Sequence, residues 1–447
     1  MIGWAVEAAR TDGIRGERLV ERSVLSNGIR VVSEHIPHVR SVTLGFWFDA
    51  GSRDEAPDEN GISHFVEHMM FKGTPNRSAR DIAEAIDALG GQINAFTTKE
   101  HTCFYVRVLD DHLAYASEVL ADMLLNSGFP EHELEREKRV VIEEIKMYED
   151  TPDESVHDLF AESVMGPHPL GRGVLGDEAS VERFDRDALV AFVAGRYTSD
   201  RLVVAAAGNM AHDQVLAEVH SRFERLVPAL PAKAQPPPEP LGQFKVVGKE
   251  TEQVHLVIGG PGPDQHDADR YALFVLDVVL GGGVSSRLFQ ELREIRGLVY
   301  ETYSFQSPFR DSGLVGVYAG ASAGHVDEVL ALTLEQFAQL AGRGVAEAEL
   351  QRAKEQLKGS LMLSLESTTN RMSRFAKSEL AGEAILSPDA LCRRIDAVTG
   401  DDVRRLAHRL WLESPLSLAA IGPLKPAAAR KLQRRLNGFA AAARVVE

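Results

Sequence analysis

Cysteine is close to absent from this chain: Cys103 and Cys392 are the only two thiols in 447 residues. One pair cannot build a disulfide framework or a thiolate metal site, so both are expected as buried, reduced side chains. No apolar run approaches the length needed to cross a bilayer. The opening "MIGWAVEAARTDGIRGERLV" lacks the apolar core of a secretion signal, and its acidic residues are out of place in an import presequence. Positive charge is in deficit as well. Lys and Arg number 49 against 66 Asp and Glu, a formal net charge of −17, which argues against a phosphate-backbone partner and leaves room for cationic ligands. The expectation is a soluble protein of a reducing compartment, the cytoplasm, with no nucleic-acid or membrane partner.

What is present is an ordinary globular composition, 44% hydrophobic and 26% charged, on a chain too long for one core. Proline marks the division. Five prolines fall between Pro228 and Pro238 in "VPALPAKAQPPPEPLG", a composition that favours an extended linker. The expected organisation is therefore an N-terminal domain over 1–230, a linker over 231–242 and a C-terminal domain over 243–447.

The two halves share an order of elements. The first has the hairpin signal Asn27-Gly28, the strand "SVTLGFWFDAG" from Ser41, an acidic loop, then a helix containing His64. The second has the strand "VHLVIGGPG" from Val254, the acidic loop "DQHDAD", then a helix "RYALFVLDVVLGGG" from Arg270. "HTCFYVRV", "RLVVAAAG" and "GLVGVYAG" alternate as strands, and "SARDIAEAIDALGG" opens with a capping box at Ser78 and Asp81. Longer helical patterns occupy about 131–150 and about 345–380. The fold class expected is α+β, two similar domains, each a largely antiparallel sheet packed with helices.

One apolar helix carries a polar trio. In "GISHFVEHMMFKGT", His64 and His68 are four residues apart, so both imidazoles project from one helix face, with Glu67 leaning over the same face. Two such nitrogens suit a zinc ion, which in a catalytic site takes three protein ligands and leaves a fourth position for water. The pentad alone is only moderately specific, and a third ligand is required. "EHELEREKRVVIEEIKMYED" presents Glu137 and Glu144 seven residues apart along a stripe that also holds Val140 and Val141. Carboxylates on an apolar stripe are costly unless paired or metal-bound. The second half has no such trio.

His64-Phe65-Val66-Glu67-His68, followed by Glu144 76 positions after His68, resembles the inverzincin metallopeptidases, the group of pitrilysin, insulin-degrading enzyme and the processing peptidases. "GSRDE" at 51, "GGQINAFTTKEHTCFYV" at 90, "HPLGRGVLG" at 168 and "SSRLFQELREIRGLVY" at 285 extend the likeness over most of the chain. With one pair of domains, it is most similar to the bacterial processing-peptidase-like branch.

The resemblance implies one Zn2+ per chain on His64, His68 and Glu144, Glu67 as general base toward a zinc-bound water, and Glu137 as a supporting acid. It implies that Asn94, Ala95 and Phe96 lie on an edge strand pairing with extended peptide, and that Arg293 and Tyr300 grip substrate and stabilise the tetrahedral intermediate. The implied activity is endopeptidase cleavage of peptides or unfolded segments in a closed chamber, with basic peptides favoured if that chamber is acidic. A homodimer would suffice. Two alternatives stay open: a non-catalytic adapter subunit, and a catalytic chain that needs an inactive, homologous partner.

Overall fold

In a computed structural model the described residues are 9–10, 20–228 and 235–443. Most of the opening twenty residues and positions 229–234 of the proline-rich stretch lie outside them. Among the described residues twelve strands build two sheets. The first is seven-stranded, from β1 (Ala9–Arg10), β2 (Val20–Val24), β3 (Arg30–His35), β4 (Ser41–Phe48), β5 (Gln92–Thr97), β6 (Thr102–Leu109) and β7 (Leu202–Gly208), in the order β1-β2-β3-β7-β4-β6-β5. The second is five-stranded, from β8 (Phe244–Gly248), β9 (Val254–Pro261), β10 (Val299–Pro308), β11 (Gly313–Ala321) and β12 (Ser417–Gly422), in the order β10-β11-β9-β12-β8. Among the described strands only β3–β7 and β12–β8 pair in parallel. Traced from that parallel pair, the sheets run β3-β7-β4-β6-β5 and β8-β12-β9-β11-β10, the same order twice. Each half is thus the α+β domain expected, and the repeat is genuine at the level of topology.

Alternation explains how each sheet buries both faces. Along β7, Leu202, Val204 and Ala206 join the core that includes Ile62, Phe65 and Met69 of helix Ile62–Met70. Val203, Ala205 and Ala207 face the other way, onto Met372, Phe375 and Ala376 of helix Thr368–Leu380. A Cβ at Gly45 on β4 would lie 2.5 Å from Met372 Sδ, so a larger residue there would displace the Met372 side chain. In the second sheet Leu418 and Ala420 of β12 enter one core, and Ala419 and Ile421 pack with Val156, Phe160 and Val164 of helix Pro152–Met165.

The compact units therefore differ from a cut at the proline-rich stretch. The first comprises Met1–Ile145, Gly173–Ala234 and Ser364–Ser387; the second comprises Lys146–Arg172, Gln235–Leu363 and Pro388–Glu447. Segments 146–172 and 364–387 exchange sides because each supplies the helix that covers the far face of the other half's sheet. Three further differences are local. The pattern over 345–380 is two helices, Glu347–Ser364 and Thr368–Leu380, with Ser367 capping the second by accepting from Asn370 N. Val140 is exposed, and the buried stripe of helix Glu131–Glu149 is Leu134, Glu137, Val141 and Ile145. Cys103 is buried, whereas Cys392 is only half-buried. No helix among the described residues is long and apolar enough to cross a membrane.

One half-buried carboxyl of the second unit gives a pH-dependent prediction. Asp277, on helix Arg270–Leu280, accepts from Ser304 Oγ of β10 at 2.5 Å. Burial pushes its pKa from 3.8 to about 6, against the opposing effect of that hydroxyl. The folded state then keeps the proton longer than the unfolded chain does, so stability falls as pH rises from about 4 to about 6 and remains reduced above. Asp277→Asn is expected to raise stability at pH 7 by roughly 1–3 kcal/mol, with little gain at pH 4. Denaturant titrations at the two pH values check this; an equal gain at both would contradict it.

Candidate metal centre

Helix Ile62–Met70 begins without a capping side chain of its own. The buried Glu55 carboxylate takes that role: Oε2 accepts from Gly61 N at 2.9 Å and Asn60 Nδ2 at 3.1 Å, and Oε1 accepts from Ser63 N at 2.9 Å. A negative charge at a helix N-terminus satisfies backbone donors and suits the macrodipole. Gly61 is needed at this point, with φ +95° and Leu175 O only 2.6 Å from where a Cβ would sit. The start of the helix is therefore fixed before its functional side chains are considered.

From that helix His64 and His68 present their rings 4.5 Å apart, centroid to centroid. Helix Glu131–Glu149 brings Glu144 to meet them. Glu144 Oε1 lies 3.8 Å from His64 Nε2, and Glu144 Oε2 lies 3.5 Å from His68 Nε2. Three donor atoms on a tetrahedral zinc with bonds near 2.0–2.1 Å sit roughly 3.3–3.4 Å apart. The two nitrogen–oxygen approaches, one to each Glu144 oxygen, are within about half an ångström of that spacing. His64, His68 and Glu144 are the one group of three or more such donors among the described residues whose ligand atoms all lie within 4.8 Å of one another. Two imidazoles and a carboxylate are a zinc-type donor set.

The protonation states fit as well. Burial, reinforced by neighbouring His68, lowers the His64 pKa to about 3, so the imidazole is neutral, the form a metal requires. His68 Nδ1 lies 3.1 Å from Glu137 Oε1, whose other oxygen takes Lys72 Nζ at 2.6 Å. Burial alone would raise the Glu137 carboxyl; the bonds from His68 and Lys72 hold it below the usual range. An ionised Glu137 only accepts, so the bond between them is donated by His68 Nδ1. Lys72 was not singled out in the sequence; it lies just past the end of helix Ile62–Met70, four residues after His68.

Glu67 sits beside this triplet without belonging to it. Burial raises its carboxyl pKa, opposed by a hydrogen bond from Thr97 and by His68, and assisted by the nearby Glu144 charge. Thr97 Oγ1 donates to Glu67 Oε2 at 2.5 Å. Thr97 is the last residue of β5, a strand with a partner on one side only. Of the residues expected on this edge, Ala95 packs toward the main core and its N–H is taken by Asn94 Oδ1 at 2.8 Å. Phe96 is half-buried and meets Trp47 edge-on at 5.3 Å, and the His101 ring lies 5.2 Å from Trp47.

Arg293 and Tyr300 belong to the second unit, and the structure brings them together. The Arg293 guanidinium lies 5.3 Å from the Tyr300 ring centroid and 4.7 Å from that of Phe289. Arg293 rides on a π-helical segment, Phe289–Ile295, and the register of β10 shifts between Val299 and Thr302, which turns Tyr300 outward at 75% exposure. Such irregularities re-aim side chains and cluster at functional sites.

The chain is similar to proteins already known. Residues 30–178 match the family described as insulinase (peptidase family M16), and residues 183–357 match the M16 inactive domain. An uncharacterized zinc protease of Streptomyces coelicolor is 44% identical over 428 residues, covering 94% of this chain and 93% of that protein. The uncharacterized zinc protease YmxG of Bacillus subtilis is 45% identical over 405 residues, 91% of this chain and 98% of that protein. Among solved structures, a peptidase M16 inactive domain from Pseudomonas fluorescens superposes with a TM-score of 0.85 at 23% identity, covering 91% of this chain and all of that one. A protease from Helicobacter pylori gives 0.83 at 23% identity, with the same coverage.

Proposed function

Because the chain belongs to the insulinase (M16) peptidase family, we propose that it is a zinc-dependent endopeptidase acting on extended peptides. The observation that carries this reading is the approach of His64 Nε2 and His68 Nε2 to the two oxygens of Glu144, at 3.8 and 3.5 Å. His64, His68 and Glu144 would hold the zinc, which when bound would supply Lewis-acid polarisation of a scissile carbonyl and acidification of a water.

The chain's own groups do the rest. Glu67, its carboxyl pKa raised by burial, is poised to take the proton of the attacking water and deliver it to the leaving amine. Glu137, paired with Lys72, orients His68. Substrate adds as a strand at β5, where main-chain pairing selects an extended conformation over a particular sequence. Arg293 and Tyr300 offer donors for the developing oxyanion, delivered in a homodimer by one protomer to the metal site of the other. The net charge of −17 favours basic peptides. An adapter role would not require a metal-type triplet with an acid poised beside it.

The test is digestion of a defined mixture of unstructured peptides by the pure protein. Cleavage that stops with chelator and returns with added zinc is expected. A zinc-loaded protein that cleaves none of them would contradict the reading.

A further inference from the structure

Helix Ile62–Met70 and strand β5 are joined by one short bond, and its placement assigns a role to a residue that the metal triplet does not include. Thr98 N donates to His101 O at 2.8 Å, closing the turn between β5 and β6. Antiparallel ladders alternate between hydrogen-bonded and non-bonded pairs. Counting back from Thr98 and His101, Phe96 and Cys103 form a bonded pair, while Thr97 and Ala95, opposite Thr102 and Phe104, turn their main-chain groups to the free edge. The capture of the Ala95 N–H by the neighbouring Asn94 side chain fits that count. Thr97 therefore has its main chain on the edge that would receive a substrate strand and its hydroxyl on Glu67 Oε2, at 2.5 Å. Thr102, its partner across the ladder, is buried and donates its Oγ1 hydrogen to Ala50 O at 2.9 Å.

We propose that Thr97 is a positioning residue which holds one oxygen of the Glu67 carboxylate, directs the other toward the attacking water, and ties the general base to the strand on which the peptide is registered. The proposal rests on Glu67 acting as that base. A carboxylate can rotate about its own axis and about the preceding side-chain bonds, so a second fixed point matters for proton transfer, which requires hydrogen-bond reach in the reacting geometry. The second unit provides a built-in comparison. There Ser304 of the edge strand β10 donates to Asp277 of helix Arg270–Leu280 at 2.5 Å, the same kind of tie between helix and edge strand with no histidine pair beside it. A purely architectural bond would behave alike in both places.

The experiment measures kcat and KM on a cleavable peptide, with bound zinc, for Thr97→Val, Thr97→Ser and Ser304→Ala, and with Glu67→Gln as reference. Thr97→Val keeps the shape and loses the donor; its kcat should fall about ten- to a hundredfold, the usual effect of deleting a hydrogen bond to a charged group, with KM and zinc content unchanged. Thr97→Ser should recover to within about threefold of the parent, and Ser304→Ala should leave kcat unaltered. The proposal is overturned if Thr97→Val turns over like the parent, if its loss appears in KM or zinc content instead, or if Ser304→Ala loses kcat equally. Parent-like turnover by Glu67→Gln would remove the base itself, a failure of the functional reading distinct from those of Thr97.

Discussion

Glu67→Gln retains its zinc and loses peptide hydrolysis, with kcat falling about 10²- to 10⁴-fold, the range that a positioned general base contributes. The amide keeps the size of the carboxylate and can still accept from Thr97 Oγ1, so the helix and β5 are left as they are. Only the proton-accepting function is removed. His64, His68 and Glu144 do not depend on Glu67 for their approach to one another, which is why metal content is expected to stay constant. Zinc loss in this variant would place Glu67 among the ligands; near-normal turnover would assign the base elsewhere. Measuring both quantities on one preparation separates the two errors.

His68→Ala produces the larger change in metal binding. The substitution deletes the nitrogen 3.5 Å from Glu144 Oε2 and also frees Glu137 from its imidazole partner, leaving that buried acid to Lys72 alone. Zinc affinity should fall by more than about a hundredfold, beyond the 10–100-fold that losing an outer-shell partner costs. Glu137→Gln supplies the comparison within that smaller range, because the proton on His68 Nδ1 keeps an acceptor but loses its ionised one. The order expected in a competition titration with a zinc chelator is parent, then Glu137→Gln, then His68→Ala. A His68→Ala protein that binds zinc as the parent does would sever the triplet from metal altogether.

Much of the site was legible in the sequence because its geometry is local. Four-residue spacing on a helix is enough to put His64 and His68 on one face. The seven-residue spacing of Glu137 and Glu144 places them along one side of another helix, one buried against His68 and one reaching the histidine pair. "RLVVAAAG", read as an alternating strand, is strand β7, but it is a continuous apolar run buried at every position, as a strand covered on both faces is. What was hidden depends on distance in sequence. The exchange of helices Pro152–Met165 and Thr368–Leu380 follows from which sheet face needed covering, and nothing in their own patterns states that. Val140 and Val141 are equally apolar on paper, yet only one side of helix Glu131–Glu149 meets the core, and Val140 falls outside it. Thr97 stands directly after the Asn94-Ala95-Phe96 run, but its bond to Glu67 appears only when β5 is laid beside the helix. Glu55 closed the motif "GSRDE" without disclosing that it caps the helix with the histidines.

The most direct test is the position of the metal itself. Crystals of the zinc-loaded protein, measured on both sides of the zinc absorption edge, should show one anomalous peak per chain, at bonding distance of roughly 2.0–2.2 Å from His64 Nε2, His68 Nε2 and a Glu144 oxygen. A zinc peak that lies elsewhere, with Glu144 turned away from the two imidazoles, would contradict the account.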